Sequence, residues 1–120
     1  MSSSHINSVI AVVPVQDHNA AVEWYTNLLG RSADVVPAEG VAEWQLVENA
    51  WLQVGTDPEQ AGNATVIIGV NDIEAQCRAL EEAKVQHGDL VEYPAMIKMV
   101  EVIDPSGNKL VFVQDISSGV

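Results

Sequence analysis

The chain repeats itself. "VQDHNAAVEWYTNLLG" begins at Val15 and "VNDIEAQCRALEEAKV" begins at Val70, 55 residues later. Each copy opens with Val-x-Asp after a run rich in β-branched residues, and Ala20 stands against Ala75. Asp17 and Asp72 are placed to cap a helix, a side-chain oxygen accepting from a backbone N–H of the first turn. The apolar spacing behind the caps agrees as well. His18, Val22, Tyr25 and Leu29 form one helical face, and Ile73, Cys77, Leu80 and Lys84 sit at the same offset, with Ala83 beside the last. Such a face suits a helix lying on a sheet. Helices are therefore expected over residues 17–29 and 72–84.

The remaining apolar segments read as strands. In the first copy they span residues 8–15, 33–36, 41–47 and 51–54; in the second, 64–70, 85–93, 97–103 and 109–114. Each half then has the order β-α-β-β-β. "GTDPEQAGN", residues 55–63, is rich in turn formers and joins the halves. "DPSGN", residues 104–108, is a second strong turn, because Pro presets one backbone angle and Gly and Asn tolerate positive φ. One half has too little core to be stable alone, so the two are expected to form one domain, residues 1–120, with units at about 8–55 and 64–115. The fold class is α+β, with curved, mainly antiparallel sheets.

Composition narrows the function. Seventeen Asp and Glu against five Lys and Arg give a net charge of −12, a field that repels phosphate backbones and argues against a nucleic-acid partner. It would attract a cationic group. The apolar runs are far shorter than the roughly 18–20 residues of a membrane span. The start "MSSSHINS" has no basic stretch before an apolar core, so no secretory signal is read there. Cys77 is alone, which excludes an internal disulfide and fits a reducing cytoplasm. No nucleophile motif, phosphate loop or dinucleotide fingerprint is present.

Four pieces in order, "VQDHNAAVEWYTNLLG", "WLQVG", "VNDIEAQCRALEEA" and "DPSGNKLVFV", resemble the vicinal oxygen chelate superfamily. This group includes glyoxalase I, extradiol dioxygenases, and fosfomycin and bleomycin resistance proteins. "EWYTNLLG" is similar to the "FYxxxLG" that ends the family's first helix, and the likeness runs from Val9 to Gln114. The resemblance implies two βαβββ units, each curling its sheet into a cup. Metal-dependent members carry one ligand on the first strand and one on the last strand of each unit. Here those positions, the first lying seven residues before each capping Asp, are Ile10, Gln53, Thr65 and Val111. Gln53 alone is a plausible ligand, and Ile10 and Val111 have no lone pairs. A homodimer would draw on the same four positions. His5, His18 and His87 have no partner at a metal-ligand spacing. No metal and no other cofactor is therefore expected.

Strand alternation indicates what lines the cups. If Gln53 points inward, so do Trp51, Glu43 and Gln45, while Leu52, Val54, Trp44 and Leu46 pack under the helices. In the second unit Thr65, Ile67, Gly69, Met99, Glu101, Ile103, Val111 and Val113 face in, and Ile10 and Val12 complete the lining. Such a mostly apolar surface with a few polar groups suits a small organic ligand. The contacts expected are Trp51, Gln53, Glu43, Gln45, Thr65, Met99, Glu101 and Val111. The primary expectation is a metal-free binding protein, similar to the bleomycin resistance branch and, with Trp24, Trp44 and Trp51 as interface candidates, a homodimer. The alternative is a glyoxalase-like lyase or isomerase, or a dioxygenase, with an atypical site. Glu43 and Glu101 could then serve as acid and base if burial raised their pKa values, though no catalytic residue is assigned. A third reading is a subunit or regulatory partner whose cup is filled by its own side chains.

Overall fold

The computed structural model describes residues 5–117. The first four residues of "MSSSHINS" thus lie outside the described residues. Unit one comprises β1 (Val9–Val15), α1 (His18–Leu29), β2 (Val35–Ala38), β3 (Val41–Val47) and β4 (Ala50–Thr56). Unit two comprises β5 (Thr65–Gly69), α2 (Ile73–Glu82), β6 (Val91–Tyr93), β7 (Ile97–Ile103) and β8 (Lys109–Asp115). Each unit forms its own four-stranded sheet, ordered β1-β4-β3-β2 and β5-β8-β7-β6. The first strand of each pairs in parallel with the last, and the other two pairings are antiparallel. The sheets are therefore mixed, with antiparallel pairs in the majority.

Both caps form as the sequence requires. Asp17 Oδ1 accepts from the Ala20 N–H at 3.1 Å, and Asp72 Oδ1 accepts from the Ala75 N–H at 3.0 Å. α1 ends on Gly30 at φ +77°, a left-handed cap that costs glycine little. The end of α2 corrects the expectation: the helix stops at Glu82, and Lys84, expected on its apolar face, lies beyond it at φ +60°. The expected strand over residues 85–93 shrinks to Val91–Tyr93. Val85 instead packs into the core, and the Gly88 N–H bonds the Glu101 carbonyl as an isolated link.

Both helices lie against one side of the sheets. Val13, Val15, Ala42, Trp44, Leu52 and Val54 meet Ala21 and Tyr25, while Val100, Val102, Leu110 and Phe112 join Ile73 and Leu80. Trp44 is wholly buried and donates from Nε1 to the Arg31 carbonyl at 2.9 Å. It therefore belongs to the protomer's core, as strand alternation predicts, and not to the interface for which all three tryptophans are candidates. Trp24 and Tyr25 pack edge-to-face, with centroids 4.8 Å apart.

The "DPSGN" turn fastens the units together. Asp104 and Asn108 are both buried. Asn108 Nδ2 donates to the Pro14 carbonyl of unit one at 2.7 Å, and its Oδ1 accepts from the Ala64 N–H at 2.9 Å. Ser106 Oγ accepts from the Gln16 N–H at 2.9 Å. The result is a plate measuring 46 × 43 × 25 Å with a radius of gyration of 15.3 Å, against about 13.6 Å for a compact chain of this length. One layer of helices on one layer of sheet leaves the far face of both sheets uncovered.

Candidate functional site

Alternation along each strand decides which side chains reach the uncovered face. The even-numbered residues of β7 and β8, Val100, Val102, Leu110 and Phe112, fill the core. Gln114 follows them, its Oε1 accepting from the Ile73 N–H at the start of α2 at 2.8 Å. The odd-numbered residues therefore stand on the open side. In unit one Leu52 and Val54 are buried beneath the helices, so Trp51 and Gln53 lie opposite.

Register gathers the expected residues into two corresponding clusters. In unit one Ile10 is beside Trp51 and Val12 beside Gln53, across β1 and β4. Glu43 faces Gln53, and Gln45 faces Trp51, across β3 and β4. Gln53 Nε2 donates to Glu43 Oε2 at 2.6 Å, so the two polar side chains orient each other. In unit two Ile67 is beside Val111, Met99 faces Val113, and Glu101 faces Val111. Thr65 and Ile67 are exposed, Met99 and Glu101 half-buried, and Val111 buried among them at 7% exposure. Two cavities of about 260 and 270 Å³ border Glu101: Asp89, Val91 and Met99 line one, and Gln86, His87 and Ile103 line the other.

Two residues on this face were missed by the sequence reading. Lys109 lies two residues before Val111, beside Thr65, with its Nζ 3.9 Å from Glu101 Oε2. The signal was available, since the alternation that selected Val111 also selects Lys109. Tyr93 pairs with Ile97 across β6 and β7, which puts its ring on the same side as Met99. That pairing could not be seen without the register.

The four positions that the resemblance equates with metal ligands, Ile10, Gln53, Thr65 and Val111, lie on the open sheet faces, and their chemistry does not fit a divalent ion. Ile10 and Val111 offer hydrocarbon, Thr65 a neutral hydroxyl, and the Gln53 amide is engaged with Glu43. Among the described residues no three His, Cys, Asp or Glu side chains gather as a metal site would require. His18 begins α1 in the helix layer, where its Nδ1 is enclosed without a hydrogen-bond partner. His87 lies at the rim of one small cavity, its Nδ1 2.7 Å from the Gly88 carbonyl and its Nε2 3.1 Å from Glu81. Both partners are acceptors, so protonation of both ring nitrogens is favoured, and the His87 pKa is raised above 6.5. The larger open groove, about 890 Å³, runs along α1 past Glu23, Trp24, Asn27 and Arg31, on the helix side. Arg31 is already held there by Asp34, whose carboxyl this bond lowers in pKa. Among the described residues no helix is long and apolar enough to cross a membrane.

Comparison with solved structures places this geometry among known proteins. The glyoxalase / bleomycin resistance protein from Catenulispora Acidiphila DSM 44928 is 33% identical, with a TM-score of 0.84 over 89% of this chain and 96% of that one. TnmS3, an antibiotic binding protein from Streptomyces sp. CB03234, is 21% identical with a TM-score of 0.76, covering 96% of this chain and 98% of its own. Lactoylglutathione lyase from Agrobacterium tumefaciens is 13% identical with a TM-score of 0.75, covering 99% and 98%. The last two likenesses show the fold alone. No family profile matches the sequence, and no curated protein matches it.

Proposed function

The chain belongs to the vicinal oxygen chelate superfamily, that of the glyoxalase and bleomycin resistance proteins, and from that premise we propose that it binds a small organic molecule on its open sheet faces without a catalytic metal. The observation that carries this reading is the exchange of ligand chemistry for binding chemistry. Where metal-dependent members need lone pairs, this chain sets Ile10, Thr65 and Val111, and it turns Gln53 toward Glu43. Beside them Trp51 presents a large flat apolar face and an indole donor. A fold that hosts both an antibiotic binding protein and a lyase does not itself choose between binding and catalysis.

The same faces support a homodimer. Ile10, Val12, Ile67 and Ile103 are about half exposed or more, on a plate with helices on only one side. A second copy laid against the sheets would cover that apolar surface and close the ligand between two walls. A reducing cytoplasm suits Cys77, whose thiol pKa is raised, chiefly by burial.

The second reading is an enzyme with an atypical site, and the 2.6 Å Gln53–Glu43 pair is what favours it, because an oriented carboxyl is a candidate acid or base. A thermal-shift screen of small organic compounds, run with and without a chelator, separates the readings. Binding to the folded state alone raises Tm by mass action. A hit unaffected by chelator and recovered unchanged after incubation supports binding; turnover of the hit supports the enzyme. Light scattering at micromolar concentration should give the mass of two chains, and a monomer would contradict the dimer.

A further inference from the structure

The symmetry of the two units is broken at one telling place. Trp51 pairs with Ile10 in unit one, and Lys109 pairs with Thr65 in unit two, at equivalent points on the open faces. An aromatic ring in one unit is thus an ammonium group in the other. The other strand lysine, Lys98, turns to the helix side and holds Glu74 at 2.8 Å. Arg31 is held by Asp34 at 2.7 Å. Lys109 is less committed: its Nζ is 3.9 Å from Glu101 Oε2, beyond hydrogen-bond length, and the two side chains are 43% and 40% exposed. Its three donors remain available to a third group. The Thr65 hydroxyl stands on the neighbouring strand, Ile67 supplies exposed apolar surface, and the small cavities open beside Glu101.

We propose that Lys109 is a specificity-determining residue, which takes an anionic group of an otherwise apolar ligand while the Thr65 hydroxyl supplies a second donor. This rests on the reading of the open faces as the ligand site, and it names the ligand's chemistry more closely. The net charge of −12 opposes anions at long range, so Lys109 works by contact rather than by steering. A purely cationic ligand would meet Lys109 as a like charge. A ligand with an oxyanion on an aromatic or aliphatic body satisfies the ammonium and buries its body against Ile67. Glu101, competing for the same ammonium, sets how readily the anion is accepted.

Two fluorescent probes of one aromatic frame test this: 8-anilinonaphthalene-1-sulfonate, which is anionic, and N-phenyl-1-naphthylamine, which is uncharged. Both are titrated into the full chain, its Lys109→Met variant and its Glu101→Gln variant, and the ratio of the two affinities is compared. Lys109→Met should lower the preference for the sulfonate roughly threefold to tenfold, the scale of one net hydrogen bond. Glu101→Gln should raise it, by removing the competing carboxyl. A ratio unchanged in both variants would overturn the role of Lys109 and leave the open faces as the binding site. Failure of the wild type to bind either probe would instead count against the open faces themselves, and against Lys109 with them.

Discussion

The Tyr25 hydroxyl on α1 donates to Asp104 Oδ2 at 2.8 Å, joining residues 79 apart in the chain and in different units. Asp104 is buried, and its other oxygen accepts from the Ser106 and Asn108 N–H groups, each at 2.9 Å. Asn108 Nδ2 adds a second bond to Oδ2 at 2.9 Å. Burial, with Asp104 beside it, pushes the Tyr25 pKa far above the ordinary tyrosine value, so the phenol stays a donor. Tyr25→Phe should destabilise the chain by about 1–3 kcal/mol, since it strips one donor from a buried acceptor. Urea unfolding measures this, and a loss below about 0.5 kcal/mol would show that the remaining bonds to Asp104 suffice.

Gly62 presses the inter-unit linker against the same turn. A Cβ there would stand 2.5 Å from the Ser106 carbonyl oxygen, and the residue has φ +88°. Gly62→Ala should therefore cost about 1–3 kcal/mol, from steric contact and backbone strain together. Gly69→Ala, where an added Cβ meets nothing within 4 Å, is the control in thermal melts. Equal melting temperatures for the two variants would contradict the close approach.

His87 gives stability a pH dependence of definite sign. Its pKa is raised in the folded chain, first by its bond to the Gly88 carbonyl and then by Glu81, with the charge of Asp89 also contributing. A raised histidine pKa contributes stability fully below the ordinary value of 6.5, and the contribution fades as pH rises through the folded pKa. Melting temperature should accordingly fall as pH rises above 6.5, less steeply in His87→Gln. Identical slopes for the two proteins would assign the pH dependence to other groups.

Much of this architecture was legible because it rests on local chemistry. Asp17 and Asp72 are short acceptors at helix starts, and both cap as their type and place demand. Alternation placed Leu52 and Val54 in the core and Gln53 on the other side, since a strand offers only two sides. What needed long-range pairing was harder to read. Residues 86–90 look like the continuation of a strand, but only the Gly88 N–H reaches across to β7, at Glu101. Trp44 answers to two sequence readings, core by alternation and interface by residue type, and its burial beside Tyr25 of α1 decides for the core. Lys109 was legible in principle, because its place on the face follows from that of Val111 two residues on; its pairing with Thr65 needed the register.

The most direct test of metal-free ligand binding is calorimetry with the compound that raises Tm most in the thermal-shift screen, using chelator-treated wild type and Trp51→Ala. The expected result is the same affinity with and without chelator, and a loss of roughly 1–3 kcal/mol in Trp51→Ala, the scale of one large apolar contact. Affinity abolished by the chelator, or unchanged in Trp51→Ala, would contradict it.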